Sequence, residues 1–169
     1  MNIVLCGMMG VGKSTVGIRL AELTKRRWID TDTVISNRYG RINDIFEYYG
    51  EEHFRNLETQ IVDEYYEKDG LVISTGGGLV LNRENADKLK KNGKIFFLQA
   101  SLDTLLSRIT NGGDTRPLLR RTKGSRERLE ELLKNRIPVY EYVADYMIET
   151  DNKSADEVAE EIVALLEKE

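Results

Sequence analysis

The stretch VLCGMMGVGKST, residues 4–15, places three glycines, a lysine and two hydroxyl residues directly after a short apolar run. Its spacing of Gly7, four residues, Gly12, Lys13 and Ser14 matches the phosphate-binding loop pattern G-x-x-x-x-G-K-[ST]. Glycines let the backbone turn so tightly that successive N–H groups point at phosphate oxygens, and the following helix adds its positive N-terminal end. The stretch therefore predicts a strand, a phosphate loop and a helix, in that order.

Two side chains of this loop have a predicted chemical task. Lys13 is expected to reach the β and γ phosphates of a nucleotide as a point charge, and the Ser14 hydroxyl is expected to bind Mg²⁺. A glycine-rich turn that only caps a helix is the structural alternative. The dinucleotide pattern G-x-G-x-x-G does not fit, because the order here is Gly7-x-x-Gly10-x-Gly12.

Strand-like and helix-like segments alternate along the whole chain. Apolar runs predict strands at 2–6, 27–30, 71–75, 94–99 and 146–150. The predicted helices span 13–26, 31–49 in pieces broken near Gly40, 51–68, 82–93 with a glycine stop, 102–109, 126–144 with a kink at Pro138, and 154–169 behind an N-cap. This alternation is typical of a parallel sheet covered on both faces, which binds ligands at the carboxyl ends of its strands.

Composition limits the class of protein. The chain of 169 residues fits one domain, and its 40% hydrophobic and 32% charged residues are typical of a soluble globular protein. The net charge of -4 argues against a general nucleic-acid binder. No run approaches the roughly 18 to 20 apolar residues of a membrane span, and the N-terminus lacks a signal-peptide pattern. We therefore expect a cytoplasmic protein without nucleic-acid or membrane partners. The single cysteine, Cys6, allows no internal disulfide.

Two carboxylates, Asp30 and Asp32, lie where the second predicted strand ends. Residues two apart in an extended segment share a face, so one carboxylate could hold a metal through water while the other accepts a hydrogen bond from an acceptor hydroxyl. The structural alternative makes Asp32 a helix N-cap and Asp30 a solvated strand end.

Three arginines are candidates for anion binding, because the planar guanidinium suits carboxylates and phosphates. Arg55 precedes Glu58 by three residues, so the two side chains can pair along one helix face. Arg136 belongs to a later predicted helix, and Arg116 lies in a basic, glycine-containing segment that could be a mobile lid. For each arginine an ordinary surface charge is the alternative. The glycines at 76–78 could admit a small polar ligand to the backbone or form a plain turn.

Six motifs together resemble the shikimate kinase family, in the same order and over essentially the whole chain. They are GMMGVGKST (7–15), IDTD (29–32), FRNLE (54–58), TGGG (75–78), TRPLL (115–119) and NRIPVYEYVA (135–144). The resemblance implies a nucleoside-monophosphate-kinase-like α/β fold, a three-layer sandwich whose five-stranded parallel sheet has the order 2-3-1-4-5 with helices on both faces. It also implies transfer of the γ-phosphate of ATP to the 3-hydroxyl of shikimate, in aromatic amino-acid biosynthesis, with Mg²⁺ and by a monomer.

The resemblance assigns roles residue by residue. The catalytic residues it implies are Lys13, Asp32 as candidate base, and Arg116 as the lid arginine. The nucleotide-binding residues it implies are Gly7, Met9, Gly10, Val11, Gly12, Lys13, Ser14, Thr15, Arg108 and Arg116. The shikimate-binding residues it implies are Asp32, Phe46, Phe54, Arg55, Glu58, Gly76, Gly77, Gly78 and Arg136. Ser14 and Asp30 would hold Mg²⁺. Residues 1–169 would form one kinase domain, with a shikimate-binding helical region at about 31–62 and a lid at about 110–125.

Two other classes of phosphate-loop protein are weighed against this one. A GTPase would show D-x-x-G after the third strand and N-K-x-D after a later one, whereas this chain has STGGG and NKSA there. A kinase of another small metabolite, such as gluconate or a nucleoside monophosphate, is the closer alternative. The paired Arg55 and Arg136 favour an acidic acceptor over a neutral one.

Overall fold

The computed structural model describes residues 1–111 and 125–169. These two ranges contain five strands, eight helices and one short 3₁₀ turn. They are β1 (Asn2–Cys6), α1 (Lys13–Thr24), β2 (Arg27–Asp30), α2 (Thr31–Tyr39), α3 (Ile42–Tyr49), α4 (Glu51–Tyr65), β3 (Leu71–Ser74), the 3₁₀ turn (Leu79–Leu81), α5 (Arg83–Lys91), β4 (Gly93–Gln99), α6 (Leu102–Asn111), α7 (Ser125–Val143), β5 (Tyr146–Glu149) and α8 (Ala155–Glu167). Arg116, and all but the ends of the lid expected at about 110–125, lie outside the described residues.

The five strands form one parallel sheet in the order β2-β3-β1-β4-β5, which confirms the predicted fold class. Every residue of β1 and of β3 is buried. Because successive side chains of a strand point to opposite faces, both faces of these central strands are covered. Helices α1 and α8 pack against each other, and α4 packs against α5. Cys6 lies inside this core, fully buried.

Strand register brings three motifs to one edge of the sheet. Ser74 of β3 pairs with Leu5 of β1 on one side and with Asp30 of β2 on the other. The three strands therefore end at the same level, and the chain leaves them as the phosphate loop, the DTD segment and the TGGG segment. A hydrogen bond also joins the TGGG segment to the DTD segment, because the Gly76 N–H donates to Thr31 Oγ1 at 2.8 Å.

The segment from the glycine run to β4 differs from the sequence prediction in two places. The glycine stop is wrong: α5 ends at Lys91, and Gly93 is the first residue of β4. A Cβ at Gly93 would lie 2.9 Å from the Leu89 carbonyl oxygen and 3.0 Å from that of Asn2, so a close approach of backbones explains the glycine. The 3₁₀ turn between the glycine run and α5 was not predicted. Helix α7 includes Pro138 in its interior.

None of the helices in residues 1–111 and 125–169 has the length and apolar character that a membrane span requires.

Candidate active site

The phosphate loop leaves β1 in a conformation that requires glycine. Gly7 has φ +142°, and a Cβ there would lie 2.6 Å from the Leu98 carbonyl oxygen. Gly12 occupies the position before α1 in a left-handed conformation, with φ 104°. Lys13 is the first residue of α1, and its Nζ donates to the Gly7 carbonyl oxygen at 2.5 Å. The loop thus holds the lysine ammonium and the helix N-terminus at the same place.

A cavity of about 450 Å³ lies over this loop. Its lining residues come from the loop, from the ends of the strands and from the start of α8. They are Met9, Gly10, Val11, Gly12, Lys13, Ser14, Thr15, Val16, Asp30, Asp32, Thr75, Gly77, Arg108, Thr150, Lys153, Ala155 and Val158. We call it the phosphate-loop cavity. Its volume is in the range that small-molecule sites occupy.

Ser14 and Asp30 form the part of this cavity that suits a hard cation. The Ser14 hydroxyl donates to Asp30 Oδ2 at 2.6 Å, and both residues line the cavity. Residues 1–111 and 125–169 contain no cluster of three or more His, Cys, Asp or Glu side chains that could hold a metal. Mg²⁺ usually binds through one or two side-chain oxygens together with substrate phosphates and waters, so the pair fits that ion.

The DTD segment differs from its predicted geometry. Strand β2 ends at Asp30, whose side chain caps α2 by accepting from the Thr33 N–H at 3.1 Å. Asp32 therefore lies in the first turn of a helix, so the extended spacing invoked for the pair is wrong, and so is the alternative of Asp32 as the N-cap. Both carboxylates nevertheless line the phosphate-loop cavity, because the strand ends where the helix begins.

A second, smaller cavity of about 80 Å³ adjoins the first. Its lining residues come from the DTD segment, α3, α4, the glycine run and α7. They are Met9, Asp32, Ile42, Phe46, Phe54, Arg55, Glu58, Gly77, Gly78 and Arg136. We call it the acceptor cavity. Met9, Asp32 and Gly77 line both cavities, so a group bound in one can contact a group bound in the other.

The two arginines of the acceptor cavity differ in their partners. Arg55 is bound to carboxylates of its own helix, with Nη1 at 2.7 Å from Glu58 and Nη2 at 3.3 Å from Glu51. Arg136 is only 6% exposed, and no carboxylate of the described residues lies within 4.0 Å of its guanidinium. A buried charge is costly unless it is paired. An anion that enters this cavity therefore finds a cation ready to receive it.

Glu58 fixes Arg55 from inside the protein. Its side chain is 1% exposed, and Oε2 has no hydrogen-bond partner among the described residues. Burial raises the pKa of this carboxyl from 4.5 to about 7, and the neighbouring Arg55 only partly opposes the shift. The glycine run makes this packing possible, because a Cβ at Gly78 would lie 2.6 Å from Arg55 Cζ.

The raised pKa of Glu58 predicts a pH-dependent stability. Between pH 4.5 and about 7 the folded protein binds more protons at Glu58 than the unfolded chain, so the free energy of unfolding falls as pH rises through this window. Glu58→Gln removes this effect. The stability of the wild type relative to Glu58→Gln should therefore fall by up to about 3 kcal/mol between pH 5 and 8.

Thermal unfolding of both proteins across that pH range measures this difference. Glu51→Gln is the matched control, because it removes the exposed partner of the same arginine and should follow the wild-type profile. A gap between wild type and Glu58→Gln that stays constant with pH would contradict the prediction.

Four other residues named from the sequence have distinct positions. Phe46 and Phe54 lie side by side in the acceptor cavity, with ring centroids 4.9 Å apart. Arg108 of α6 lines the phosphate-loop cavity and donates to the Val11 and Gly10 carbonyl oxygens at 2.9 and 3.3 Å. Gly76 is not among the residues that line the two cavities. A Cβ there would lie 2.6 Å from Asp32 Oδ1, so Gly76 packs behind the site.

Sequence reasoning missed several residues that line the cavities. Ile42 belongs to the acceptor cavity, and Thr75, Ala155 and Val158 belong to the phosphate-loop cavity. Ala155 and Val158 could have been expected there, because α8 begins after the end of β5 and β5 runs parallel to β4. Thr75 directly precedes the glycine run, so the same reasoning applies to it.

Comparisons with known proteins all point to one family. The family model for shikimate kinase matches residues 9–167. A shikimate kinase of Vibrio parahaemolyticus is 43% identical over 99% of this chain and 96% of its own length. The solved structure of the shikimate kinase from Acinetobacter baumannii in complex with shikimate has a TM-score of 0.94 and 39% identity, covering 99% of this chain and 93% of that one. The shikimate kinase of Aquifex aeolicus has a TM-score of 0.83 and 34% identity, covering 99% of this chain and 97% of that one. The chain therefore belongs to the shikimate kinase family, the ATP-dependent kinases that phosphorylate shikimate.

Proposed function

We propose that this chain transfers the γ-phosphate of ATP to the 3-hydroxyl of shikimate and releases shikimate 3-phosphate and ADP. The observation that carries the proposal is Arg136, a buried cation in a small cavity that adjoins the phosphate-loop cavity. Shikimate is a small carboxylic acid with hydroxyls, so one end of it suits Arg136 and the other can face the nucleotide. A neutral acceptor would leave Arg136 with only the more distant influence of Glu58, a carboxylate that is already paired with Arg55.

The nucleotide end of the proposed site neutralises phosphate charge. Lys13 and the N-terminus of α1 would bind the β and γ phosphates, together with the backbone N–H groups of the loop. Ser14 and Asp30 would hold Mg²⁺, which supplies further charge neutralisation at these phosphates when it is bound. Because phosphoryl transfer needs little covalent help, positioned positive charge is the main contribution of this end.

The acceptor end positions the hydroxyl that is phosphorylated. Arg136 and Arg55 would bind the shikimate carboxylate, while Phe46 and Phe54 would pack against the ring. Asp32 lies where both cavities meet, which supports a hydrogen bond from the reacting hydroxyl to its carboxylate. In this proposal Asp32 is the candidate base that receives the hydroxyl proton as the phosphoryl group arrives.

The proposed domain organisation follows from these roles. The chain would act as a monomer and residues 1–169 as one kinase domain, as the sequence resemblance implies. Residues from about 31 to 62, which include α2, α3 and most of α4, would form the shikimate-binding region. The lid at about 110–125 would carry Arg116 to the transferring phosphate and exclude water. This last role rests on the sequence resemblance, because Arg116 lies outside the described residues.

A panel of acceptors tests the proposal against its rivals. The chain is incubated with ATP and Mg²⁺ and, in turn, with shikimate, gluconate or a nucleoside monophosphate, and ADP release is followed in a coupled assay. Shikimate should support turnover far above the ATP-only rate, and the other two acceptors should not. Faster ADP release with gluconate or the nucleoside monophosphate would instead identify a kinase of another small metabolite.

Arg136 predicts a selective loss of acceptor binding. Arg136→Met removes a buried cation opposite the carboxylate, and the loss of one partner of such a pair costs about 2 kcal/mol or more. The KM for shikimate should therefore rise at least ~30-fold, with little change in the KM for ATP. Steady-state kinetics with each substrate varied separately measure both values.

The matched control is Arg83→Met, which removes an exposed arginine of α5 with a 74% exposed side chain. It should leave both KM values as in the wild type. If Arg136→Met also left the KM for shikimate unchanged, Arg136 would not bind the acceptor.

A further inference from the structure

Tyr140 is a buried polar side chain that none of the roles above employs. It is among the largest fully buried side chains and is 0% exposed. Its hydroxyl donates to the Gly77 carbonyl oxygen at 2.5 Å and lies 3.8 Å from Met8 Sδ. Its ring packs against Phe97 of β4, with centroids 5.0 Å apart. The hydroxyl thus reaches from α7 to the glycine run, across 63 positions of sequence.

This hydrogen bond is present at every working pH. Burial raises the pKa of the Tyr140 phenol to about 12, so the group stays protonated and keeps its donor. A partly buried carbonyl that loses its donor carries a free-energy cost, so the bond also has a structural reason to persist. The orientation of the Gly77 carbonyl is therefore fixed before any substrate binds.

The fixed carbonyl determines where the next N–H points. The peptide unit between Gly77 and Gly78 is planar and trans, so the Gly78 N–H points opposite to the Gly77 carbonyl. With that carbonyl directed at Tyr140, the N–H is directed away from the Tyr140 hydroxyl. Gly77 and Gly78 both line the acceptor cavity.

The same peptide also borders the guanidinium of Arg136. A Cβ at Gly77 would lie only 3.1 Å from Arg136 Nη1, so the backbone of Gly77 and the guanidinium are nearly in contact. Arg136 and Tyr140 are four residues apart on α7 and therefore lie on the same face of that helix. One helix face thus supplies both the anion-binding cation and the hydroxyl that fixes its backbone neighbour.

We propose that Tyr140 is a positioning residue for the acceptor, because its hydroxyl fixes the Gly77 peptide, and with it the Gly78 N–H, and also interacts directly with Arg136. The inference rests on the proposed function, since the acceptor it aligns is shikimate. Tyr140 touches neither substrate nor the reacting atoms. Loss of its hydroxyl should therefore weaken acceptor binding more than nucleotide binding, because Arg136 and Gly78 line only the acceptor cavity.

Tyr140→Phe tests the hydroxyl while it keeps the ring against Phe97. The KM for shikimate should rise roughly tenfold, as expected from the loss of one buried hydrogen bond. The KM for ATP should change much less, because the hydroxyl meets the phosphate loop only through the weak contact with Met8 Sδ at 3.8 Å. Tyr65→Phe, a buried tyrosine of α4 outside both cavities, is the matched control and should change neither value.

Gly77→Ala perturbs the contact between the Gly77 backbone and Arg136 while Tyr140 stays unchanged. The added methyl must displace the Arg136 guanidinium, 3.1 Å away, by a few tenths of an ångström, whereas it meets the phosphate loop at ordinary contact distance, 3.8 Å from the Gly7 carbonyl oxygen. The KM for shikimate should therefore rise several-fold, and the KM for ATP should change much less. Because both substitutions act through the Gly77 peptide, the double variant should lose less than the product of the two single losses. Should Tyr140→Phe be too unstable to assay, Gly77→Ala decides alone.

The outcomes separate this inference from the proposed function. An unchanged KM for shikimate in Tyr140→Phe, or an equal rise in both KM values, overturns the positioning role and leaves a purely structural tyrosine. An unchanged KM in Gly77→Ala overturns it as well. If the wild type phosphorylates no shikimate at all, the proposed function fails and this inference fails with it.

Discussion

Lys13→Met is expected to reduce turnover about 100- to 1,000-fold, the cost of removing one preorganised charged donor from a developing negative charge. The ammonium is held at the start of α1 by the Gly7 carbonyl at 2.5 Å, inside the phosphate-loop cavity. Methionine keeps the length and the apolar part of the side chain, so the loop should keep its shape. The loss of turnover would then report charge at the phosphates.

Lys94→Met is the matched control for this substitution. Lys94 is the second residue of β4, at the opposite end of the sheet from the cavities, and its side chain is 37% exposed and paired with Glu169. The Lys94→Met variant should have the turnover of the wild type. The measurement is kcat at saturating ATP and shikimate. Near-normal turnover in Lys13→Met would remove this lysine from the phosphate site.

Asp32→Asn should lower kcat by about 100-fold or more while ATP binding stays nearly unchanged, because a positioned acid or base typically contributes that much to a proton transfer. Asp32 is placed where both cavities meet, so it can contact the reacting hydroxyl. Asparagine has the same shape and keeps an oxygen acceptor, but it cannot take a proton. Single-turnover kinetics give the chemical step, and calorimetric titration gives the affinity for ATP.

The control for Asp32→Asn is Asp87→Asn, on the exposed side of α5, where the side chain is 64% exposed. It should alter neither quantity. Equal losses of turnover and of ATP affinity in Asp32→Asn would mean that Asp32 supports nucleotide binding and not the acceptor hydroxyl.

The sheet and the meeting of its motifs could be predicted from the sequence because both depend on local patterns. The apolar run before Gly7 predicts a buried strand, and the loop pattern that follows is specific for phosphate. Parallel strands end at one edge, so motifs that follow three of them come together, as the pairing of Leu5, Ser74 and Asp30 in one register shows. None of this requires knowledge of distant side chains.

The sequence did not predict which residue ends β2 and caps α2. Two carboxylates separated by one residue fit a strand or a helix start equally well, and the choice depends on where β2 ends. The structure ends β2 at Asp30 and begins α2 at Thr31, so Asp30 is the cap. An N-cap aspartate is common, but the pattern DTD offers two candidates for it.

Tertiary partners account for what else the sequence left open. Arg136 has the pattern of a surface arginine, and only the packing of α7 makes it 6% exposed. Tyr140 looks like any aromatic residue of a helix core, because its hydrogen-bond partner is Gly77, far away in the chain. Such contacts depend on which elements pack together, and a single sequence does not specify them.

Product identification by ³¹P NMR tests the central claim most directly. The chain is incubated with ATP, Mg²⁺ and shikimate, and the phosphorus resonances are followed with coupling to the sugar-like ring protons. ADP and one phosphomonoester on the 3-hydroxyl should appear in equal amounts, since both cavities converge on Asp32. ADP with only inorganic phosphate, or a phosphate on a different hydroxyl, would contradict a shared cleft that aligns nucleotide and acceptor.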